Sequence, residues 1–164
     1  MKTKTFFIIL ILFTISFSFS AFGQITNFSG KWELNKEKTI LADNQLFLSG
    51  ITIQLKSDSL LTTRIYQNSN GEEYPFDENL SLDGKESKFT IYDMPRTSKV
   101  TKSEADTSLV IESTTTFNGQ YGAEDMVAKE TWKVDISGNI LTLNFTNKMS
   151  GTETTGTNYY KKVK

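Results

Sequence analysis

The 164-residue sequence contains no cysteine and no histidine. Those two absences together exclude disulfides, thiol nucleophiles, Cys/His zinc centres, histidine-based triads and axial haem histidines. Proline occurs twice, at Pro75 and Pro95, placed at a strand start and in a turn, where a missing N–H is tolerated. Neither sign of charge dominates: 18 Lys plus Arg stand against 19 Asp plus Glu. Without the N-terminal leader, which carries Lys2 and Lys4, 16 basic residues face 19 acidic ones, a net of −3. That balance excludes the electrostatic footprint of a nucleic-acid binder. No glycine-rich phosphate loop is present, since Gly119 and Gly122 stand in a hairpin pattern rather than before a helix.

The single long apolar run lies at the start. Lys2 and Lys4 precede Phe6 to Phe19, and Ala21-Phe22-Gly23 supplies small-x-small residues. This order is that of a secretory signal peptide over 1–23, cleaved between Gly23 and Gln24. The run is short against the roughly 20 apolar residues of a spanning helix. With no cysteine after it, a lipoprotein anchor through a lipidated cysteine is excluded. The expectation is a secreted or periplasmic protein without a membrane anchor, formed by residues 24–164 as one domain.

Residues 24–164 are rich in Thr and Ser, and short apolar alternations are broken by turn residues. Strands are expected at Lys31 to Leu34, Ile51 to Leu55, Leu61 to Tyr66, Tyr74 to Leu82 and Lys88 to Asp93. Further strands are expected at Ser98 to Glu104, Leu109 to Phe117, Asp125 to Ile136, Leu141 to Asn147 and Thr152 to Val163. Asn35 to Gly50 reads as irregular, with a helical turn around Lys38 to Ala42, and Met94-Pro95-Arg96 reads as a closing turn. Asn70-Gly71 is a hairpin signal. The pattern predicts an all-β fold, either a sandwich or a closed antiparallel up-and-down barrel of 8–10 strands. The barrel is preferred because closure removes exposed edges.

Alternation assigns faces. The expected lining is Trp32 and Leu34; Ile51, Ile53 and Leu55; Leu61, Thr63 and Ile65; and Phe89 and Ile91. The later strands add Leu109, Ile111, Ser113, Thr115 and Phe117; Met126, Ala128, Glu130, Trp132, Val134 and Ile136; and Leu141, Leu143 and Phe145. Small or polar residues at Thr63, Ser113, Thr115 and Ala128 favour a partly open cavity, since a solid core would carry larger aliphatics there. The alternative is a solid centre with these positions at a solvent-facing rim.

Glu130 interrupts an apolar face between Ala128 and Trp132. A lone buried carboxylate costs several kcal/mol unless it is paired or protonated. Glu130 is thus either a ligand anchor, or an acid/base group with a raised pKa, or a residue turned by a β-bulge, or a partner of Arg64 or Lys102. A Glu130–Arg64 pair would suit structure or a carboxylate head group. Tyr159-Tyr160 sends one ring to each face. Asp77, Glu78, Glu124 and Asp125 have no calcium-loop spacing and read as solvated loop charges. No metal or cofactor is expected. Asn27-Phe28-Ser29, Asn79-Leu80-Ser81 and Asn144-Phe145-Thr146 match the glycosylation sequon, a match that arises by chance in so Asn-, Ser- and Thr-rich a chain.

The segment Phe28-Ser29-Gly30-Lys31-Trp32-Glu33-Leu34-Asn35 resembles the opening of lipocalin-like, calycin-type barrels, whose first strand carries Gly-x-Trp. With Leu82-Asp83-Gly84-Lys85-Glu86, Glu130-Thr131-Trp132 and the closing Tyr159-Tyr160-Lys161-Lys162, the chain is similar to small exported bacterial lipocalin-like proteins over about 24–164. The resemblance implies that Gly30, Trp32 and Trp132 are structural. Trp32 would plug the closed end, with Lys161 or Lys162 over its ring. It also implies a small, mostly apolar ligand. The opening is similar to the ten-stranded fatty-acid-binding proteins as well. The chain departs from them in two ways: Asn35 to Gly50 is too short for their helical lid, and Asn158 before Tyr160 replaces the arginine of their carboxylate clamp.

The function expected is therefore an exported binding protein holding a small apolar or amphipathic molecule. The candidate lumen is formed by Arg64, Phe89, Ile91, Ser113, Thr115, Phe117, Met126, Glu130, Asn158 and Tyr160. One alternative is an envelope interaction module with a filled barrel and an apolar outer patch around Tyr92 and Met94. A third reading is an isomerase or hydrolase using Glu130 with a tyrosine, which has few acid/base groups to draw on.

Overall fold

The computed structural model describes residues 28–40, 46–103, 107–119 and 122–163. The expected signal peptide, Asn27 of the first sequon, the Ala42 end of the expected helical turn and the Glu104 end of an expected strand lie outside them. Ten strands follow one another: β1 (Gly30–Leu34), β2 (Phe47–Leu55), β3 (Ser59–Gln67), β4 (Glu73–Ser81), β5 (Glu86–Ile91), β6 (Met94–Lys102), β7 (Leu109–Gly119), β8 (Gly122–Val134), β9 (Ile140–Met149) and β10 (Thr152–Val163).

All neighbours pair antiparallel in the order β4-β3-β2-β1-β10-β9-β8-β7-β6-β5. The pairing of β1 with β10 brings the two ends of the sheet sequence together, with Trp32 opposite Lys162 and Leu34 opposite Tyr160. The result is an all-β, nearly closed up-and-down barrel. The one junction without a ladder lies between β4 and β5, and side chains bridge it. Ser87 Oγ accepts from the Ser81 amide at 2.9 Å. The Tyr92 hydroxyl donates to the Pro75 carbonyl. Pro75 on β4 thus sits beside the seam, where its missing N–H leaves no ladder bond unmade.

Several boundaries differ from the sequence reading. Met94-Pro95-Arg96 opens β6 rather than closing a turn. The turn is Tyr92-Asp93, both at positive φ (47° and 67°), which matches the twist of a tight hairpin. β2 begins at Phe47, well before Ile51, and a bulge between Leu48 and Gly50 keeps both Leu48 and Ile51 inside. Ile136 lies in the β8–β9 turn, fully exposed rather than in the lining. On β3 the inward set is Leu60, Thr62 and Arg64, not Leu61, Thr63 and Ile65. Thr63 faces outward and donates its hydroxyl to Asp77.

The two ends of the barrel differ. At the lower end Trp32, Leu60, Leu80, Trp132 and Leu141 are all without exposure, closed over by Phe28, Ile53, Val100 and Leu109. The Trp32 indole N–H donates to the Phe28 carbonyl at 2.9 Å. Lys162 Nζ stands 5.1 Å from the Trp32 ring centroid. Toward the upper end the inward positions Tyr66, Phe76, Phe89, Phe117, Met126 and Phe145 keep part of their surface exposed.

Candidate functional site

Midway along the barrel, strand alternation turns four charged side chains inward from four strands. These are Arg64 on β3, Glu78 on β4, Arg96 on β6 and Glu130 on β8, exposed by 0, 2, 7 and 7 %. They form a chain across the interior. Glu130 Oε1 accepts from Arg64 Nη1 at 2.8 Å. Arg64 Nε donates to Glu78 Oε2. Thr62 Oγ1 adds a bond to the same oxygen at 3.0 Å. Arg96 Nε donates to Glu78 Oε1 at 3.1 Å, tying β6 to β4 across the seam. Arg96 Nη1 donates to Thr115 Oγ1 at 2.8 Å.

Trp132 holds this chain from below. Its indole N–H donates to Glu130 Oε2 at 2.8 Å. Its ring centroid lies 5.1 Å from the Arg64 guanidinium carbon. Such stacking of a desolvated cation on an indole is worth up to about 2 kcal/mol.

Burial pushes the Glu130 carboxyl up. The charge of Arg64, the hydrogen bonds from Arg64 and Trp132, and the charge of Arg96 outweigh it, so the group is held below its ordinary value. The acid/base reading with a raised pKa is thereby corrected: Glu130 is a locked carboxylate. No bulge turns it, since β8 stays in register with β7 and β9 through Glu130. Its partner is Arg64, while Lys102 is exposed. For Arg64, burial disfavours the charge, but Glu130 and Glu78 more than offset it and hold the guanidinium protonated.

Glu78, read as a solvated loop charge, lies inside, because β4 places it in phase with Phe76 and Leu80. Asp125 does face outward and accepts from Thr116. Glu78, Arg96, Thr62 and Tyr66 were missed by sequence reasoning. The signal was there in the two-residue period: each shares a face with buried aliphatics on its own strand.

The remaining residues of the candidate lumen also turn inward. Ser113 and Thr115 are buried, and Ile91 is buried at the top of β5. Phe89 and Met126 stand half-buried beside Arg96 and Thr115 in the ladders, and Phe117 lies two residues beyond Thr115 toward the upper end. The Tyr160 hydroxyl donates to the Leu48 carbonyl at 3.1 Å. Asn158 Nδ2 approaches the Tyr160 hydroxyl at 3.5 Å. Burial raises the Tyr160 phenol far above its ordinary value, so it stays neutral. Tyr92 and Met94 do not make an outer patch together, because Met94 shares the inward phase of Arg96 and Ser98 while Tyr92 lies out in the turn.

Two buried polar atoms inside the barrel lack a partner among the described residues: Arg64 Nη2 and Ser98 Oγ. A buried donor left unpaired costs about 1–3 kcal/mol, so each is suited to an incoming acceptor. The arrangement can bind a polar group. With its carboxylate oxygens already held by Arg64 and Trp132, it is poorly suited to move a proton. Among the described residues no cluster of three or more acidic side chains could hold a metal. Outside the barrel, a polar hollow of about 640 Å³ lies at the lower end of the seam between Asp58, Asn79 and Asp83.

No family model matches the chain, and no curated protein matches it in sequence.

Proposed function

We propose that this chain is an exported, lipocalin-like binding protein that takes a small apolar or amphipathic molecule into the upper half of its barrel. One observation carries the reading. The lower end holds Trp32, Leu60, Leu80, Trp132 and Leu141 without exposure, whereas toward the upper end Phe89, Phe117 and Met126 face inward and still keep exposed surface. Inward aromatic and thioether side chains that stay accessible support a lumen open toward that end, and such surface gains about 25 cal/mol per Å² when a ligand covers it. The buried polar layer beneath supplies the few oriented hydrogen-bonding groups that small-molecule sites combine with apolar walls. The leader-like segment at 1–23 and the Gly30-Lys31-Trp32 opening support export and the lipocalin-like kinship.

The test is a thermal-unfolding panel on the purified mature chain with fatty acids, retinoids and sterols. A ligand at about a hundred times its Kd adds about 2.7 kcal/mol of stability, a shift of several degrees. A midpoint unmoved by every class would remove the reading.

A further inference from the structure

We propose that the polar end of this ligand is an uncharged hydrogen-bond acceptor, an ester or amide carbonyl, taken by Nη2 of Arg64, and that the site discriminates against carboxylates. The inference rests on the binding function proposed above and specifies its head group.

Arg64 is fully enclosed, and its Nη2 donates to nothing among the described residues. Its other two nitrogens are engaged, Nε with Glu78 and Nη1 with Glu130. A carboxylate is held best by two parallel N–H groups. Both forks of this guanidinium that include Nη2 already have one prong in use. What Nη2 offers is a single-point donor, which matches a carbonyl oxygen.

Charge points the same way. The formal charges of Arg64, Arg96, Glu78 and Glu130 cancel. A third carboxylate would make the buried group net negative and place the new charge near two existing ones. In a desolvated interior that repulsion is weakly screened. A neutral carbonyl adds no charge and still satisfies the open donor. The apolar body would then extend upward along Phe117 and Met126, away from the polar layer. The stacked rings of Tyr66 and Phe76, at a centroid distance of 5.8 Å, lie one step above Arg64 and Glu78 on the same strands and would flank the ligand.

The experiment is calorimetric titration of the full mature chain at neutral pH with four chain-matched probes: methyl decanoate, decanamide, decanoate and decane. The ester and the amide are expected to bind, and decanoate to bind at least about tenfold more weakly, a gap of about 1.4 kcal/mol. Decanoate binding as tightly as the ester would overturn the inference. Glu78→Gln removes one negative charge and is expected to narrow or invert the preference. An unchanged ester-to-decanoate ratio in that variant would show that the charge argument is wrong. If all four probes fail while a retinoid or sterol binds, the head-group inference falls and the binding function stands. If nothing of any class binds, the binding function falls with it.

Discussion

One face of the Trp132 indole carries the Arg64 guanidinium at 5.1 Å, and its N–H holds the carboxylate that Arg64 also bonds. The two residues come from β3 and β8, which are not neighbours in the sheet. Contact between them therefore spans the lumen and ties opposite walls of the barrel through one charged layer.

Arg64→Ala is expected to destabilise the protein by about 3–5 kcal/mol, because it leaves the buried Glu130 carboxylate without its cation and Glu78 with Arg96 alone. A fourfold replacement by apolar residues (Arg64→Met, Glu78→Leu, Arg96→Met, Glu130→Leu) is expected to recover most of that loss, since it removes the desolvated charges together. Urea unfolding of both variants checks this. A fourfold variant as unstable as the single one would mean that the layer is needed for folding and not merely tolerated by it.

Acid should act through Glu130. Its folded carboxyl titrates below the ordinary value of 4.5. The unfolded chain therefore binds a proton first as the pH drops. The stabilisation is fully present above 4.5 and is lost as the pH falls from there through the lower folded value. Denaturation curves across that window should show a steeper acid limb in the natural protein than in Glu130→Gln. Parallel limbs would assign acid sensitivity to other carboxyls.

Gly30 has φ of +140°, and a Cβ there would meet Lys162 Cε at 2.5 Å. The lysine stem crosses the glycine on its way to the Trp32 ring. Gly30→Ala is expected to cost about 1–3 kcal/mol from backbone strain alone, with the steric clash added. Combining it with Lys162→Ala should relieve the clash and leave the strain, giving a non-additive double-mutant cycle. Strict additivity in thermal or urea unfolding would show that the two residues do not press on each other.

At the upper end, a Cβ on Gly156 would come within 2.6 Å of the Phe145 ring. Gly156→Ala should therefore push that ring toward the lumen and cost about 1–3 kcal/mol by overpacking. Phe145→Leu in the same chain should restore part of the loss. The measurement is stability together with the affinity of whichever probe binds, because a displaced ring narrows the mouth.

Short-range pattern was enough for much of this molecule. Alternation in segments such as Ile51 to Leu55 and Leu141 to Asn147, with turn residues between them, identified all ten strands and the antiparallel, barrel-like order. The inward phase of Glu130 and Trp132 followed from the same rule. β3 shows why the rule sometimes fails. Both of its faces carry apolar residues, Leu60 and Tyr66 on one and Leu61 and Ile65 on the other. Hydrophobicity could not choose the phase, so Thr63 was turned inward in error. Glu78 failed for a related reason, since a charge on a polar-looking strand reads as solvated unless its partners are known.

Those partners are a property of closure. Period two says which way a side chain points from its own strand, because the pleat is local. It carries no information on which residue stands opposite across a lumen, and Arg64 and Glu130 are separated by 66 positions in the chain. That meeting depends on the stagger of every ladder between β3 and β8 and on the pairing of β1 with β10. A buried charge reports its partner's location only after the sheet has curled, so strand identity was readable in the residues, while the pairing at the barrel's centre came from the way the walls closed.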